Sequence, residues 1–276
     1  MFKKNVSIFK FTTVIFALFI IIFSYTSVYG AYGQIDMPSP VSSPVNAGYL
    51  YGEKLSSSST SGHMGLDFAA STGTPVYATY GGKVYRKRDL GNSSYGKYYV
   101  IESTHPLYPG TKFYHIYAHL SYQNPNISEG SNITQGTYLG DTGSSGNATG
   151  PHLHYEIRMG SYDYYAQRNP EGLLSRSTSN GYGALRGRVN LSNNNWARAI
   201  RISGASKPDV NYGASYSYFV MDNSNPFPDE SAYGINYYIA RAYTGNIMLN
   251  YNNGARTLNA TVSSNTDTLL STVTLP

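Results

Sequence analysis

The chain contains no cysteine. That absence excludes disulfide-stapled scaffolds, thiolate-ligated zinc, iron–sulfur clusters and cysteine nucleophiles. Charge is also scarce: Asp, Glu, Lys and Arg make up 13% of the 276 residues, and there is one tryptophan. Scarce charge does not mean a disordered chain here, because 41% of residues are hydrophobic and 14% aromatic. Gly, Ser, Thr, Asn and 29 tyrosines fill the space that Glu, Lys and Leu occupy in helical proteins. The composition reads as β-rich, and the length suits one or two domains, each able to bury a core.

The formal charge of +5 is inflated by the N-terminus. Lys3, Lys4 and Lys10 precede an apolar run from Phe11 to Phe23, broken only by Thr12 and Thr13. Small residues follow, including Ser27, Val28, Gly30 and Ala31. This order is that of a secretory signal peptide over residues 1–30, cleaved after Gly30. The run is shorter than the roughly 20 residues a membrane-spanning helix needs, although an uncleaved segment extended to Tyr32 would act as an anchor. Cleavage takes the 20 basic residues to 17 against 15 acidic, so the mature protein is nearly neutral and gives no case for nucleic acid. We expect a secreted or cell-wall-associated protein, and a Gram-positive exterior fits.

A short Pro- and Ser-rich leading segment covers residues 31–45. Short β-type runs then appear at Pro75–Thr79, Gly82–Arg86, Tyr98–Glu102, Lys112–Leu120 and His152–Met159, separated by Gly, Pro and Asn turn signals. No stretch of this region sustains a 3.6-residue apolar period over three turns. An all-β, antiparallel core over residues 46–171 is expected. Residues 172–184 read as a polar, flexible linker. Residues 185–276 keep a β character, with strand-like patterns around Ile200 and Ile202, Ser215–Met221, Ile235–Ala242 and Thr257–Leu275. They should form a smaller β-sandwich-like accessory domain.

All six histidines lie between positions 63 and 154. Four fall in three compact patterns: Gly62-His63-Met64-Gly65-Leu66-Asp67, Tyr117-Ala118-His119-Leu120 and Gly150-Pro151-His152-Leu153-His154. In a strand, residues two apart share a face, so His152 and His154 project together while Leu153 and Tyr155 turn away. His63 and Asp67 also share a face, and Gly65 between them would let the backbone pass close to a bound ion. Two imidazoles, one carboxylate and an open fourth position make the donor set of a catalytic zinc site, where zinc acidifies a water toward pKa ~7. A single histidine is more often structural, but packing alone does not explain four histidines and an aspartate in three such patterns. His105, before a proline, should be exposed. His115 shares strand parity with His119, and spacing does not choose between them.

These residues resemble the lysostaphin-type (LytM-type) zinc metallopeptidases, which cut peptides of the bacterial cell wall. The resemblance covers about residues 46 to 170. It rests on His63-x-Gly65-x-Asp67 with Gly73-Thr74-Pro75-Val76-Tyr77-Ala78, on Tyr117-Ala118-His119-Leu120, and on Gly140-x-x-Gly143 with Thr149-Gly150-Pro151-His152-Leu153-His154 and Tyr155-Glu156-Ile157. It implies one Zn2+ ligated by His63, Asp67 and His154, with His119 and His152 as the non-ligand catalytic pair and His115 structural. His152 would be the general base and His119 the stabiliser of the oxyanion. There is no His-Glu-x-x-His helix.

The resemblance implies a zinc metalloendopeptidase that hydrolyses amide bonds in peptidoglycan stem peptides or cross-bridges. The rival reading is a non-lytic wall-binding or regulatory protein of the same fold. Members of that kind typically lack one of the five positions, and all five are present here. Tyr95, Tyr98 and Tyr99 are candidates to line a substrate groove, against the plainer reading of ordinary sheet tyrosines. Residues 185–276 would bind the wall or serve as a stabilising, dimer-forming domain.

Overall fold

The computed structural model describes residues 37–42, 49, 51, 63–106, 108–170, 173–174, 182–195, 197, 200–204, 218–220, 237–252, 254–264 and 266–276. The expected signal peptide lies outside the described residues. Among the described residues, helical structure is confined to a three-residue 3-10 turn, Tyr164–Ala166, and to Pro170.

Nine strands form the first sheet: β1 (Leu66–Ala69), β2 (Pro75–Tyr77), β3 (Gly82–Asp89), β4 (Lys97–His105), β5 (Tyr108–Gln123), β6 (Asn132–Ile133), β7 (Tyr138–Thr142), β8 (His152–Met159) and β9 (Gln167–Arg168). Every pairing among them is antiparallel, and the main order is β1-β8-β5-β4-β3-β6. The long β5 is central. It pairs with β4 along one edge and with β8, then β7, along the other. Its residues Phe113 to Leu120 are all buried, which requires cover on both faces. Phe113 and Tyr117 join Leu66, Phe68, Leu153, Tyr155 and Ile157 in the main core. Tyr114, Ile116 and Ala118 pack on the other face with Tyr98 and Val100.

The expected runs match β8 residue for residue, locate β3 to β5 with shorter bounds and overrun β2 by two residues. β1, β6, β7 and β9 are additional. They are two to five residues long, too short to display a period of their own.

Residues 182–276 are β-rich, as expected. They hold β10 (Tyr182–Gly187), β11 (Val189–Asn190), β12 (Ile200–Ser203), β13 (Tyr218–Val220), β14 (Tyr237–Tyr243), β15 (Gly245–Tyr251), β16 (Arg256–Val262), β17 (Asp267–Leu269) and β18 (Val273–Thr274). These form three small sheets, ordered β14-β10-β17, β11-β18 and β13-β12-β15-β16, of which the β10–β17 and β11–β18 pairs are parallel. β10 takes in residues 182–184, the last part of the stretch read as a linker. Near its start Leu173 and Leu174 are buried, and the Met37 N–H donates to the Leu173 carbonyl at 3.0 Å. Two apolar side chains in a row at that point explain the difference: they gain more by burial than a solvated linker offers.

The tyrosine-rich core carries its own polar network. Tyr117 and Tyr155 are fully buried, and both hydroxyls lie 2.8 Å from Thr79 Oγ1. The Thr79 N–H donates to the Tyr117 hydroxyl at 2.8 Å. His115 joins this network, with Nδ1 2.9 Å from the Tyr155 hydroxyl and Nε2 2.8 Å from Ser103 Oγ. Burial pushes the His115 pKa down to about 3, so the ring is neutral in the folded protein. His105, expected to be exposed, is half-buried with its ring 5.4 Å from that of Tyr80.

The folded pKa of His115 lies below its unfolded value, so as pH falls the unfolded chain binds this proton first. The His115 contribution is intact above about pH 6.5 and is lost progressively toward pH 3, by at most about 5 kcal/mol. Urea unfolding at pH 7 and pH 5 should show the wild type losing more stability between the two than His115→Gln does. Equal losses would show that His115 does not govern this window.

Candidate metal centre

The ladder that closes the core also assembles the site. β1 and β8 run antiparallel with Asp67 opposite His154 and Ala69 opposite His152, and Ala118 of β5 lies opposite His154 on the other side. Leu153 and Tyr155 turn into the core, so His154 and Glu156 face the opposite side of the sheet together with Asp67. His63 comes from the segment just before β1. The Asp67 N–H donates to the Tyr49 carbonyl at 2.8 Å, which ties that preceding segment to the β1 edge.

Three donor atoms converge on this face. His154 Nδ1 lies 2.8 Å from Asp67 Oδ1 and 3.0 Å from His63 Nε2, and His63 Nε2 lies 3.3 Å from Asp67 Oδ1. All three residues are buried. Bonds of about 2.0–2.1 Å from imidazole nitrogen and carboxylate oxygen to a tetrahedral zinc place neighbouring donors roughly 3.3 Å apart. The His63–Asp67 edge meets that spacing and the two edges to His154 fall about 0.3 and 0.5 Å short of it, so a small outward shift of the ring would admit the ion. Gly65 serves it differently from the expectation: a Cβ there would lie 2.6 Å from His154 Cε1 and 2.7 Å from the Tyr155 carbonyl oxygen. The missing side chain makes room for the His154 ring rather than for an ion.

Electrostatics support the same fit. Burial by itself would raise the Asp67 pKa, but the His63 and His154 rings outweigh it and hold the carboxyl well below the usual range. Burial likewise disfavours a charged His154, yet Asp67 and Glu156 on either side of the ring raise its pKa to about 10. Two carboxylates around one buried imidazole leave the pocket short of positive charge. A proton relieves the deficit, and a divalent cation would do so in its place.

The remaining two histidines stand beside this triangle. The His152 ring is 4.8 Å from that of His119, and His152 Nε2 is 3.7 Å from Asp67 Oδ1. His152 Nδ1 lies 2.8 Å from the Gly150 carbonyl, and His119 Nδ1 lies 2.8 Å from the Ser145 carbonyl. A carbonyl only accepts, so both rings donate from Nδ1, and in the neutral form of either ring the bare nitrogen is Nε2. Burial lowers the His119 pKa to about 4, leaving that ring neutral near pH 7.

Strand alternation would send His119 into the core beside His115 and Tyr117. Its backbone is left-handed instead, with φ of 63°, and the side chain turns to the face of His152 and His154. Such a conformation costs roughly 1–2 kcal/mol outside glycine. Neighbouring loops hold it. The His119 N–H donates to the Tyr95 carbonyl at 3.0 Å, and Ser145 Oγ donates to the Leu120 carbonyl at 2.7 Å. Gly96 and Gly146 lock those loops together: a Cβ on Gly96 would lie 2.4 Å from the Gly146 nitrogen. His115 lies in the core network, outside this cluster.

Sequence reasoning passed over Glu156, Arg158 and Ser145. Glu156 had a visible signal, since it shares strand parity with His154. Of the proposed groove tyrosines, Tyr99 is fully buried with its hydroxyl donating to the Asn124 carbonyl at 3.1 Å, so it lines no groove. Tyr98 is also buried, and the half-buried Tyr95 donates its hydroxyl to Glu156.

A cluster of two histidines and an aspartate beside an antiparallel sheet, flanked by two further imidazoles, is the donor set of a metallopeptidase. Residues 61–166 match the model of peptidase family M23, so the chain contains an M23 peptidase domain. Peptidoglycan DD-endopeptidase ShyA of Vibrio cholerae is 37% identical over 95 residues, covering 34% of this chain and 20% of that protein. Lysostaphin of Staphylococcus simulans is 32% identical over 147 residues, covering 51% and 27%. Among solved structures, a variant catalytic domain of the prophage-encoded M23 protein EnpA from Enterococcus faecalis is 30% identical. It aligns with 51% of this chain and 97% of that domain, at a TM-score of 0.41. The chain thus spans about a fifth to a quarter of the length of these curated relatives.

Metal analysis should find one zinc per wild-type chain and none in Asp67→Asn or His63→Ala. Zinc at a hundredfold excess over its dissociation constant should stabilise the stripped wild type by about 2.7 kcal/mol and leave both variants unmoved. A wild type that binds another divalent ion in preference would replace zinc as the metal.

Proposed function

We propose that this chain is an exported zinc metalloendopeptidase that hydrolyses amide bonds in peptidoglycan stem peptides or cross-bridges. The observation that carries the reading is the convergence of His63 Nε2, Asp67 Oδ1 and His154 Nδ1 beside two further imidazoles with bare Nε2 atoms. Relatives named as a peptidoglycan DD-endopeptidase and as a glycyl-glycine endopeptidase support this substrate class. They come from Vibrio and from Staphylococcus, so they favour no one type of envelope. The Gram-positive assignment rests on the leader peptide and the cysteine-free composition.

His63, Asp67 and His154 would hold the zinc, which when bound acidifies a water and polarises the scissile carbonyl. His152 has its Nδ1 anchored on Gly150 and a bare Nε2 near Asp67, so it is placed to take the water's proton. His119 is anchored on Ser145 and faces the same space. With a proton taken up from solvent, its Nε2–H would donate to the developing oxyanion, while His152 would pass the proton it took from the water to the leaving amine. Both anchors are backbone carbonyls, which hold each Nδ1 in place.

In this reading residues 46–171 are the catalytic domain, and residues 185–276 are an accessory domain that concentrates it at the wall. All five site positions are occupied, which speaks against a non-lytic protein of the same fold.

Protein lacking residues 1–30 should release new amino termini from purified peptidoglycan, identified by mass spectrometry. His119→Ala and His152→Ala should each lower the rate by about 10²–10⁴-fold while still binding zinc. No cleavage of walls with several bridge chemistries, despite bound zinc, would return the protein to the binding class. A His119→Ala chain ending at residue 184 should sediment less with insoluble wall than the longer His119→Ala protein. Equal sedimentation would leave residues 185–276 a stabilising or dimer-forming role.

A further inference from the structure

We propose that Glu156, held by Tyr95 and Arg158, is a positioning residue that sets the ring orientation and tautomer of His154 and thereby the zinc affinity of the site. This rests on the metal-centre reading above. An imidazole has two nitrogens, and the His154 Nδ1 is the one that faces Asp67 and His63. Its opposite nitrogen, Nε2, lies 3.1 Å from Glu156 Oε1. When Nδ1 serves as ligand, the ring proton sits on Nε2 and donates to that carboxylate. The negative charge of Glu156 then increases electron density on the ring and makes Nδ1 a stronger donor.

The carboxylate is too well placed to be filler. Glu156 is 1% exposed, and a buried carboxylate of this kind is expensive unless its oxygens are hydrogen-bonded. Both oxygens accept. The Tyr95 hydroxyl donates to Oε1, and Arg158 Nε donates to Oε2 at 3.0 Å. Arg158 Nη2 donates to the Tyr95 hydroxyl at 2.9 Å, closing a ring of three side chains. Arg158 Nη1 donates to the Tyr162 carbonyl at 2.7 Å, fixing the arginine from behind. A well-packed apolar side chain would fill this position at lower electrostatic cost, so what the carboxylate adds is its interaction with His154.

Tyr95 links the two halves of the centre. Its hydroxyl supports Glu156, and its carbonyl accepts the His119 N–H. Tyr95→Phe removes the first contact and keeps the second, so it isolates the effect on His154.

The test uses the protein from residue 31 to the C-terminus, with zinc alone as the probe. Dissociation constants come from chelator competition, and the thermal midpoint of each metal-free protein is recorded alongside. Glu156→Gln should weaken zinc binding by about 10–100-fold, with a smaller loss for Tyr95→Phe. Ser103→Ala removes a partner of His115 in the core network and serves as the control for stability alone: its zinc affinity should match wild type whatever its midpoint. Wild-type affinity in Glu156→Gln overturns the proposal, while failure of the wild type to bind zinc overturns the metal centre itself. If Glu156→Gln does not fold, Tyr95→Phe decides: unchanged affinity overturns the proposal and weakened affinity supports it.

Discussion

The register between β1 and β8 is the constraint on which the rest of the molecule depends. Leu66 and Phe68 on one strand, with Leu153, Tyr155 and Ile157 on the other, are buried in the main core. A slip of one residue would expose that row and turn Asp67 and His154 inward. Each large apolar side chain returned to water costs about 1.5–3 kcal/mol. The core therefore enforces the pairing that places Asp67 opposite His154. The candidate metal ligands do not have to hold themselves in place, and the burial of Asp67 and Glu156 is offset by apolar packing immediately behind them.

A second constraint acts at His119. Three of the site's histidines obtain their positions from β8 or from the segment just before β1, but His119 needs a reversal of strand alternation. The left-handed backbone provides it, and the Tyr95 carbonyl, the Ser145 carbonyl and the Gly96–Gly146 contact keep it there. Strain placed next to a reactive group and offset by surrounding contacts is a form of preorganisation. It leaves His119 neutral and aimed at the same space as His152 before any substrate arrives.

Much of the fold was legible. Runs such as Lys112–Leu120 and His152–Met159 are long, rich in aromatic and β-branched residues, and bounded by turn residues, so their strand character needs no partner to be seen. Short strands were not legible. β1 lies within the first histidine motif, and β7 runs into a glycine-rich stretch, so both exist because a neighbour pairs with them. At the site, shared faces were readable wherever alternation holds: His152 with His154, and Glu156 with both. The parity between His115 and His119 left the choice between them open for a physical reason, since alternation stops at a left-handed residue.

By itself the sequence determined an all-β chain, a histidine- and aspartate-based chemistry without thiols, and a family resemblance carried by three ordered motifs. These are properties of residue type and local period, which need no knowledge of what packs against what. The tertiary structure alone decided which donor atoms meet, why Gly65 must lack a side chain, and how a left-handed backbone parts His119 from the face of His115. It also decided that Glu156 is clasped by Tyr95 and Arg158. Those facts arise from contacts between residues up to 91 positions apart, as His63 and His154 are, and only the register of the sheet brings such residues within hydrogen-bonding distance.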